Sequence, residues 1–298
     1  MASFPIEVVI SETLPVFSRN TCLVIDWDDT LMLTNWCVAR GAKLNSRGDT
    51  IGVTAEMLRE CSRVAPYVEK LVLLAKQLGS VMIVTNASKA WVEASCSTFM
   101  PSIRHLIMGI PIISAADLYE KTTPDTMAWK RFAFRKQVLQ TAFGDSPVAM
   151  RTMVSIGDGE AERHAARSLL GIETPYGQII PKTIKFSPSS YPDNLIAQLE
   201  AVTKLIPLVL LKSSQMDLSW NYVAFEDVTM GLMRHRSPSP PKLGEIEDDK
   251  PLTSNLSLQL PRSAKPKKVG RSTTPYPRYE TLYQQEGQFQ QIKIEIHG

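Results

Sequence analysis

The sequence predicts an α/β protein built around a mostly parallel central sheet. Short apolar runs, typical of strands that are buried on both faces, alternate with longer stretches of helical periodicity. Three of the runs are followed by carboxylate, hydroxyl or amide side chains. Strands that alternate with helices indicate a parallel sheet with helices packed against it. We therefore expect a three-layer, Rossmann-like domain.

The apolar runs predict the strands, and the spacing of apolar residues between them predicts the helices. Strands are expected at residues 21–25, 80–84, 107–113, 153–156 and 183–186. Helices are expected at residues 54–78, 87–100, 127–143, 160–170 and 193–211. Pro66 lies within the first helical stretch and predicts its division into two helices, because proline lacks the N–H that a helix interior needs.

Composition and charge exclude several classes of protein. A formal net charge of +3 over 298 residues is too small to predict a nucleic acid as partner. The apolar run at residues 205–211 is far shorter than the ~20 residues that span a bilayer, and the first residues lack the features of a signal peptide. The 4 cysteines include no CxxC pair, so no zinc site is predicted. We expect a soluble, cytoplasmic protein without a membrane partner.

The composition changes near residue 234, where a segment rich in proline, serine and charge begins. Such a segment buries too little apolar surface to offset the entropy of ordering it. We therefore predict a folded domain at residues 1–233 and a disordered tail at residues 234–298. Within the tail, the alternation in FQQIKIEIHG is typical of a short strand. Residues 265–268 (KPKK) are either a solvated charge cluster or a nuclear-targeting patch.

Side chains suited to catalysis follow three of the predicted strands. The first strand leads into Asp26-Trp27-Asp28-Asp29-Thr30, the second into Thr85-Asn86, and the fourth into Gly157-Asp158-Gly159-Glu160-Ala161-Glu162. In open parallel sheets, active sites lie just beyond the carboxyl ends of the strands. We therefore expect these side chains to meet at one edge of the sheet.

The residues at these strand ends suggest phosphoryl transfer through an aspartyl-phosphate. Asp26 would be the nucleophile, and a divalent cation such as Mg²⁺, held by Asp26 and Asp158, would bridge it to the phosphate. Asp28 could protonate the leaving group and later deprotonate the attacking water. Thr85 could donate a hydrogen bond to a phosphoryl oxygen, and Lys130 could balance the negative charge.

The pattern resembles the haloacid dehalogenase (HAD) superfamily of hydrolases. Its first motif, an apolar strand ending in DxDx(T/V), is matched by VIDWDDT, and its second, a strand ending in Thr or Ser, is matched by IVTN with Thr85. The third motif is a lysine, for which Lys130 in MAWKRF is the first choice and Lys136 the competitor. The acidic fourth motif is matched by SIGDGEAE, with Asp158 and Glu162. The resemblance covers roughly residues 20–172.

The resemblance also implies a role for each matching residue. Asp26 would be the nucleophile and Asp28 the acid/base, with Asp26, Asp158 and the backbone carbonyl of Asp28 as Mg²⁺ ligands. Glu162 stands where the family usually has an aspartate and would act at the metal, commonly in a supporting role. Asn86 is either a turn or cap residue or part of the phosphate-binding site. By this resemblance the chain is a HAD-type phosphatase.

The intervals between the motifs predict a minimal cap. After the helices are placed, only residues 31–53 remain between the first two motifs, and they are typical of a flap or short hairpin. By resemblance, open sites of this kind serve large substrates, such as phosphoproteins or nucleic-acid ends, or borrow a cap from another subunit. Two alternatives stay open: a phosphotransferase or mutase, and a catalytically silent module that binds phosphorylated proteins. The sequence does not predict an oligomeric state.

Overall fold

The computed structural model describes residues 20–143, 150–188, 191–222 and 292–297. The strands are β1 (Thr21–Ile25), β2 (Lys43–Leu44), β3 (Thr50–Ile51), β4 (Ser80–Thr85), β5 (Ile112–Ser114), β6 (Met150–Gly157), β7 (Glu173–Thr174), β8 (Gly177–Lys185), β9 (Met216–Tyr222) and β10 (Ile292–His297). The helices are α1 (Thr34–Ala39), α2 (Ala55–Leu78), α3 (Lys89–Phe99), α4 (Arg104–Met108), α5 (Ala115–Tyr119), α6 (Thr126–Ala133), α7 (Leu139–Phe143), α8 (Glu160–Arg167) and α9 (Pro192–Leu210).

The main sheet is mostly parallel, as predicted. Its strands run in the order β10-β9-β8-β6-β1-β4-β5, with β7 added beside β8. The neighbours from β9 to β5 are all parallel, whereas β10 pairs antiparallel with β9 and β7 antiparallel with β8. Every residue of β1 is buried, which fits a central strand covered on both faces. The α/β class and the mostly parallel sheet are therefore confirmed.

The register of the central strands determines where the functional side chains emerge. Ile25, at the end of β1, lies opposite Ile83 on β4 and Ile156 on β6. Because the three strands are parallel, the chain leaves all of them at the same edge of the sheet. This register brings three side chains to the same edge of the sheet: Asp26 after β1, Asp158 after β6 and Thr85 at the end of β4.

Helix α2 is continuous through Pro66, so the predicted division into two helices is wrong. Proline frees the carbonyl four residues earlier, which here belongs to Ser62. Both Pro66 and Ser62 lie on the exposed side of the helix, where water can satisfy that carbonyl. The buried side, which includes Val64, Ala65 and Val68, holds the helix in place through packing.

The strand predicted at residues 107–113 is also placed wrongly. Ile107 belongs to α4, which ends at Met108, and the strand β5 covers only Ile112–Ser114. The apolar run therefore contains the buried end of a helix and the start of a strand. Periodicity cannot separate the two within so short a run.

The other predicted helices and strands are present, and they differ from the prediction mainly in where they begin and end. The helix expected at residues 127–143 is α6, a π-helical turn at Phe134–Val138, and α7. Residues 31–53 form α1 and the small hairpin β2–β3, a flap of the predicted kind. Among the described helices, none is long and apolar enough to cross a membrane.

Part of the predicted tail can be compared with the structure. The end of the chain forms β10, in agreement with the alternation in its sequence, so the tail is not wholly without regular structure. Residues 234–291, including residues 265–268, lie outside the described residues. The division into a domain at 1–233 and a tail at 234–298 stays a prediction.

Candidate functional site

Asp26 is the first residue beyond β1, and its backbone extends the pairing with β6. Its N–H donates to the carbonyl of Ile156 at 2.9 Å, so its position along the sheet edge is fixed by the parallel ladder. The N–H of Trp27 donates to Asp26 Oδ1 at 2.8 Å. Only 7% of Asp26 is exposed, and this burial raises the pKa of its carboxyl well above the ordinary range, an effect partly offset by Lys130.

Lys130 is the lysine that reaches the acidic site. It lies on α6 with only 2% of its surface exposed, and its Nζ lies 2.8 Å from Asp26 Oδ1 and 3.2 Å from Glu162 Oε2. Burial lowers the pKa of Lys130, but the two carboxylates outweigh this and hold the pKa above its usual value. The ammonium therefore stays protonated. Lys136, the competing candidate, instead lies 6.0 Å from the ring centre of Tyr119.

Glu162 is folded back onto the loop that joins β6 to α8. Its Oε1 accepts a hydrogen bond from Gly159 N–H at 3.2 Å, while its Oε2 faces Lys130. A Cβ at Gly157 would lie 2.3 Å from Glu162 Oε1, so only glycine leaves room for this carboxylate. Burial raises the pKa of Glu162, but Lys130 and the hydrogen bonds outweigh it and hold the pKa below its usual value.

Asp158 completes an acidic cluster that could hold a cation. One carboxylate oxygen from each of Asp26, Asp158 and Glu162 lies within 4.8 Å of the other two. Burial and the neighbouring charge of Glu162 raise the pKa of Asp158 to about 6. Lys185 Nζ, on β8, donates to the backbone carbonyl of Asp158 at 3.0 Å and so holds the loop that carries it. Neither spacing nor motif indicated this lysine.

Asp28 lies beside the cluster, but its carboxylate faces a separate set of donors. Oδ1 accepts hydrogen bonds from Thr34 Oγ1 at 2.6 Å and from Trp91 Nε1 at 2.8 Å. Oδ2 accepts one from Thr85 Oγ1 at 3.0 Å. Among the described residues, the side chain of Asp28 is not part of the cation-holding group. The expectation that Asp28 binds the metal through its backbone carbonyl stays a prediction.

Thr85 is where the sequence places it, at the end of β4 and fully buried, but its hydroxyl is already engaged. It accepts the N–H of Ala87 at 2.9 Å and directs its own hydrogen to Asp28. A hydroxyl has a single hydrogen, so Thr85 can donate to a phosphoryl oxygen only after it releases Asp28. Asn86 donates through Nδ2 to the carbonyl of Thr126 at 3.1 Å, while its buried Oδ1 has no partner among the described residues.

Asp29 is a buried, hydrogen-bonded residue of the loop that follows β1. It is 5% exposed, has a left-handed φ of 51°, and accepts the backbone N–H of Asn35 at 3.0 Å. Burial raises the pKa of its carboxyl to about 7. Asp29 therefore holds the start of α1 against the loop that carries Asp26 and Asp28. Helix α1 in turn contributes Thr34, whose hydroxyl donates to Asp28.

Comparisons with protein-family models, with curated proteins and with solved structures found no match. The class of this protein is therefore described by its fold and by the residues of its site. It is an α/β protein that gathers buried carboxylates around one lysine at the carboxyl edge of its parallel strands.

Proposed function

We propose that this protein is a Mg²⁺-dependent phosphomonoester hydrolase of the HAD type, acting through an aspartyl-phosphate at Asp26. The observation that carries the proposal is the buried ion-pair group at the strand ends, in which Lys130 contacts both Asp26 and Glu162. Holding charged groups out of water costs free energy that only pairing and hydrogen bonding offset, and active sites are where such buried groups are concentrated. Phosphoryl transfer needs such a combination of carboxylates and a fixed positive charge.

We also propose that the helices and the sheet form a Rossmann-like, three-layer arrangement. Helix α2 packs with α9, and α6 packs with α8, which is the pairing expected if each pair covers one face of the sheet. Helix α6 supplies Lys130 and α8 supplies Glu162, so the packing of this second pair assembles the site.

The acidic cluster supports a cation site, for which magnesium is the proposed ion. Oxygen ligands of Mg²⁺ lie at about 2.1 Å, so two of them are separated by at most about 4.2 Å. The oxygens of Asp26, Asp158 and Glu162 approach this spacing, at 4.8 Å or less, and a small contraction would complete it. Glu162 is engaged by Lys130 and Gly159, which favours Asp26 and Asp158 as the direct ligands. When bound, the ion would neutralise charge on the phosphoryl oxygens.

Each side chain then has a defined part in the reaction. A carboxylate oxygen of Asp26 attacks phosphorus, the bond from phosphorus to the leaving oxygen breaks, and Asp28 supplies that oxygen with a proton. Asp28 next takes a proton from water, whose oxygen attacks phosphorus and releases phosphate from Asp26. Lys130 offsets the negative charge throughout, and Thr85 turns its hydrogen from Asp28 to a phosphoryl oxygen.

The substrate is proposed to be large, such as a phosphorylated protein. Apart from α2, the segment between the first two motifs contains only α1 and the hairpin β2–β3, which is too little chain to enclose a small molecule. This part of the proposal rests on analogy with other open sites of the same kind.

One observation favours a second candidate, a catalytically silent module that binds phosphorylated proteins. The carboxylate of Asp28 is held by three donors, and the hydroxyl hydrogen of Thr85 is one of them. Neither group is free to act until this set of hydrogen bonds changes.

Steady-state hydrolysis of p-nitrophenyl phosphate with and without Mg²⁺ tests the proposal. Asp26→Asn should reduce Mg²⁺-dependent turnover by at least about 10³-fold, because the nucleophile is lost. Asp193→Asn is the matched control, since Asp193 is an exposed carboxylate on α9 with 79% of its side chain accessible. An Asp26→Asn protein with wild-type turnover would refute the nucleophile assignment. Absence of turnover, with inorganic phosphate still bound in calorimetry, would support the silent module.

A further inference from the structure

We infer that Trp91 is the positioning residue for Asp28, and that helix α3 holds the Asp26–Asp28 loop at two points. The inference rests on the proposed function, because it assigns Asp28 the acid/base part in that reaction. It comes from contacts between residues far apart in the chain, which no motif indicates.

The first contact joins Trp91 to Asp28. The indole Nε1 of Trp91 donates to Asp28 Oδ1 at 2.8 Å, and Trp91 is 8% exposed. An indole N–H can only donate, and leaving it unpaired in a buried position costs free energy. Thr34 contacts the same oxygen, but its hydroxyl can donate or accept and can rotate. Of the donors to Asp28, Trp91 is therefore the one with a fixed direction.

The second contact joins the same face of α3 to the neighbour of Asp28. Ser95 lies one helical turn after Trp91, and its Oγ accepts the indole N–H of Trp27 at 3.0 Å. Ser95 Oγ in turn donates to the carbonyl of Trp91 at 2.6 Å, so the two anchoring residues are linked. Residues at this spacing lie on one face of a helix.

The start of α3 is itself held firmly. Ser88 is the N-cap, and its side chain accepts the backbone N–H of Trp91 at 3.2 Å. The cap fixes the first turn of the helix and with it the backbone position from which the Trp91 side chain extends. The carboxylate of Asp28 is thus oriented by a helix whose first turn is held by its own N-cap.

Leaving-group dependence separates positioning of an acid from a general structural effect. p-Nitrophenolate is a weak base that leaves without much help, whereas phenolate leaves far more readily when it is protonated. We expect Trp91→Phe, which keeps an aromatic ring and removes the N–H, to reduce kcat for phenyl phosphate about tenfold. The loss for p-nitrophenyl phosphate should be several times smaller, with KM for both substrates nearly unchanged.

Two further variants define the scale of the effect. Asp28→Asn gives the upper limit, since general acid–base catalysis contributes about 10²–10⁴-fold. Trp129→Phe is the matched control, because the indole of Trp129 donates to the carbonyl of Thr123 at 2.8 Å instead of to Asp28. Equal losses on both substrates in Trp91→Phe, or the same selective loss in Trp129→Phe, would overturn the inference.

A spectroscopic measurement on the wild-type chain and Asp28→Asn does not depend on whether Trp91→Phe folds. The chain has 5 tryptophans, whose indole N–H groups give separate signals in a ¹H–¹⁵N spectrum. Replacing the carboxylate acceptor by an amide should move one indole signal strongly upfield, because a charged acceptor makes the stronger hydrogen bond. An indole spectrum that does not change in Asp28→Asn would contradict the contact. If the wild type lacks turnover, the proposed hydrolase fails, while this spectrum still decides whether Trp91 holds Asp28.

Discussion

The charge on Asp158 should destabilise the protein when no metal is bound. Asp158 is half-buried, and burial together with the charge of Glu162 raises its pKa from 3.8 to about 6. A carboxyl whose pKa is higher in the folded chain favours folding while it is protonated and opposes folding once it is ionised. At 1.36 kcal/mol for each pH unit, the cost at pH 7.5 is about 3 kcal/mol at most.

Asp158→Asn removes this charge with little change in shape. We expect the variant to be more stable than the wild type by about 1–3 kcal/mol at pH 7.5 in EDTA. For a chain of this size, each kcal/mol raises Tm by roughly 2–4 °C. At pH 5 the advantage should fall to about half, because the wild-type carboxyl is then mostly protonated in the folded state.

Urea and thermal unfolding followed by circular dichroism at both pH values measure the difference. Asp193→Asn is the control for removal of an exposed carboxylate, and the solvent-exposed ion pair with Arg63 that it loses contributes little to stability, because water screens both charges. Saturating Mg²⁺ should stabilise the wild type more than the variant, because a ligand that binds only the folded chain adds to its stability. A variant that is less stable than the wild type at pH 7.5, or an advantage that is the same at both pH values, would refute the reasoning.

Two other substitutions test the construction of the site. Gly157→Ala should displace Glu162 and cost about 1–3 kcal/mol of stability together with most activity, whereas Gly159→Ala should cost less. The reason is that a Cβ would lie 2.3 Å from Glu162 Oε1 at the first position but 3.1 Å from Oε2 at the second. Asp217→Asn should lower the free energy of unfolding by about 1–3 kcal/mol, measured by urea denaturation, because it weakens a bidentate pair with Arg163 at 2.7 and 2.8 Å. Gly157→Ala at wild-type stability, or Asp217→Asn without a shift of the urea midpoint, would contradict these expectations.

Long-range contacts around Asp28 could not have been predicted. Trp91 and Ser95 lie far along the chain from the loop that they hold, and their sequence environment is that of an ordinary amphipathic helix. Thr34 lies only six residues beyond Asp28, but nothing in the sequence predicts that α1 turns it back toward that carboxylate. Hydrogen bonds between distant elements depend on how the elements pack, and periodicity carries no information about that packing.

The choice between Lys130 and Lys136 also depends on packing that the sequence does not predict. Six residues along an ideal helix correspond to a rotation of about 240°, so the two lysines leave the helix in different directions. The π-helical turn at Phe134–Val138 changes that rotation further. Only the packing of α6 against α8 decides that Lys130 meets Asp26 and Glu162.

The apolar runs and the residues that follow them were enough to predict the α/β class, the central strands and the meeting of Asp26, Thr85 and Asp158 at one edge. This was possible because parallel strands present their carboxyl ends together, whatever the details of packing. The continuity of α2 through Pro66 and the hydrogen-bond partners of Asp28 followed from the packing of the folded chain. Those outcomes depend on which face of each helix is buried, a property of the assembled chain and of no single segment within it.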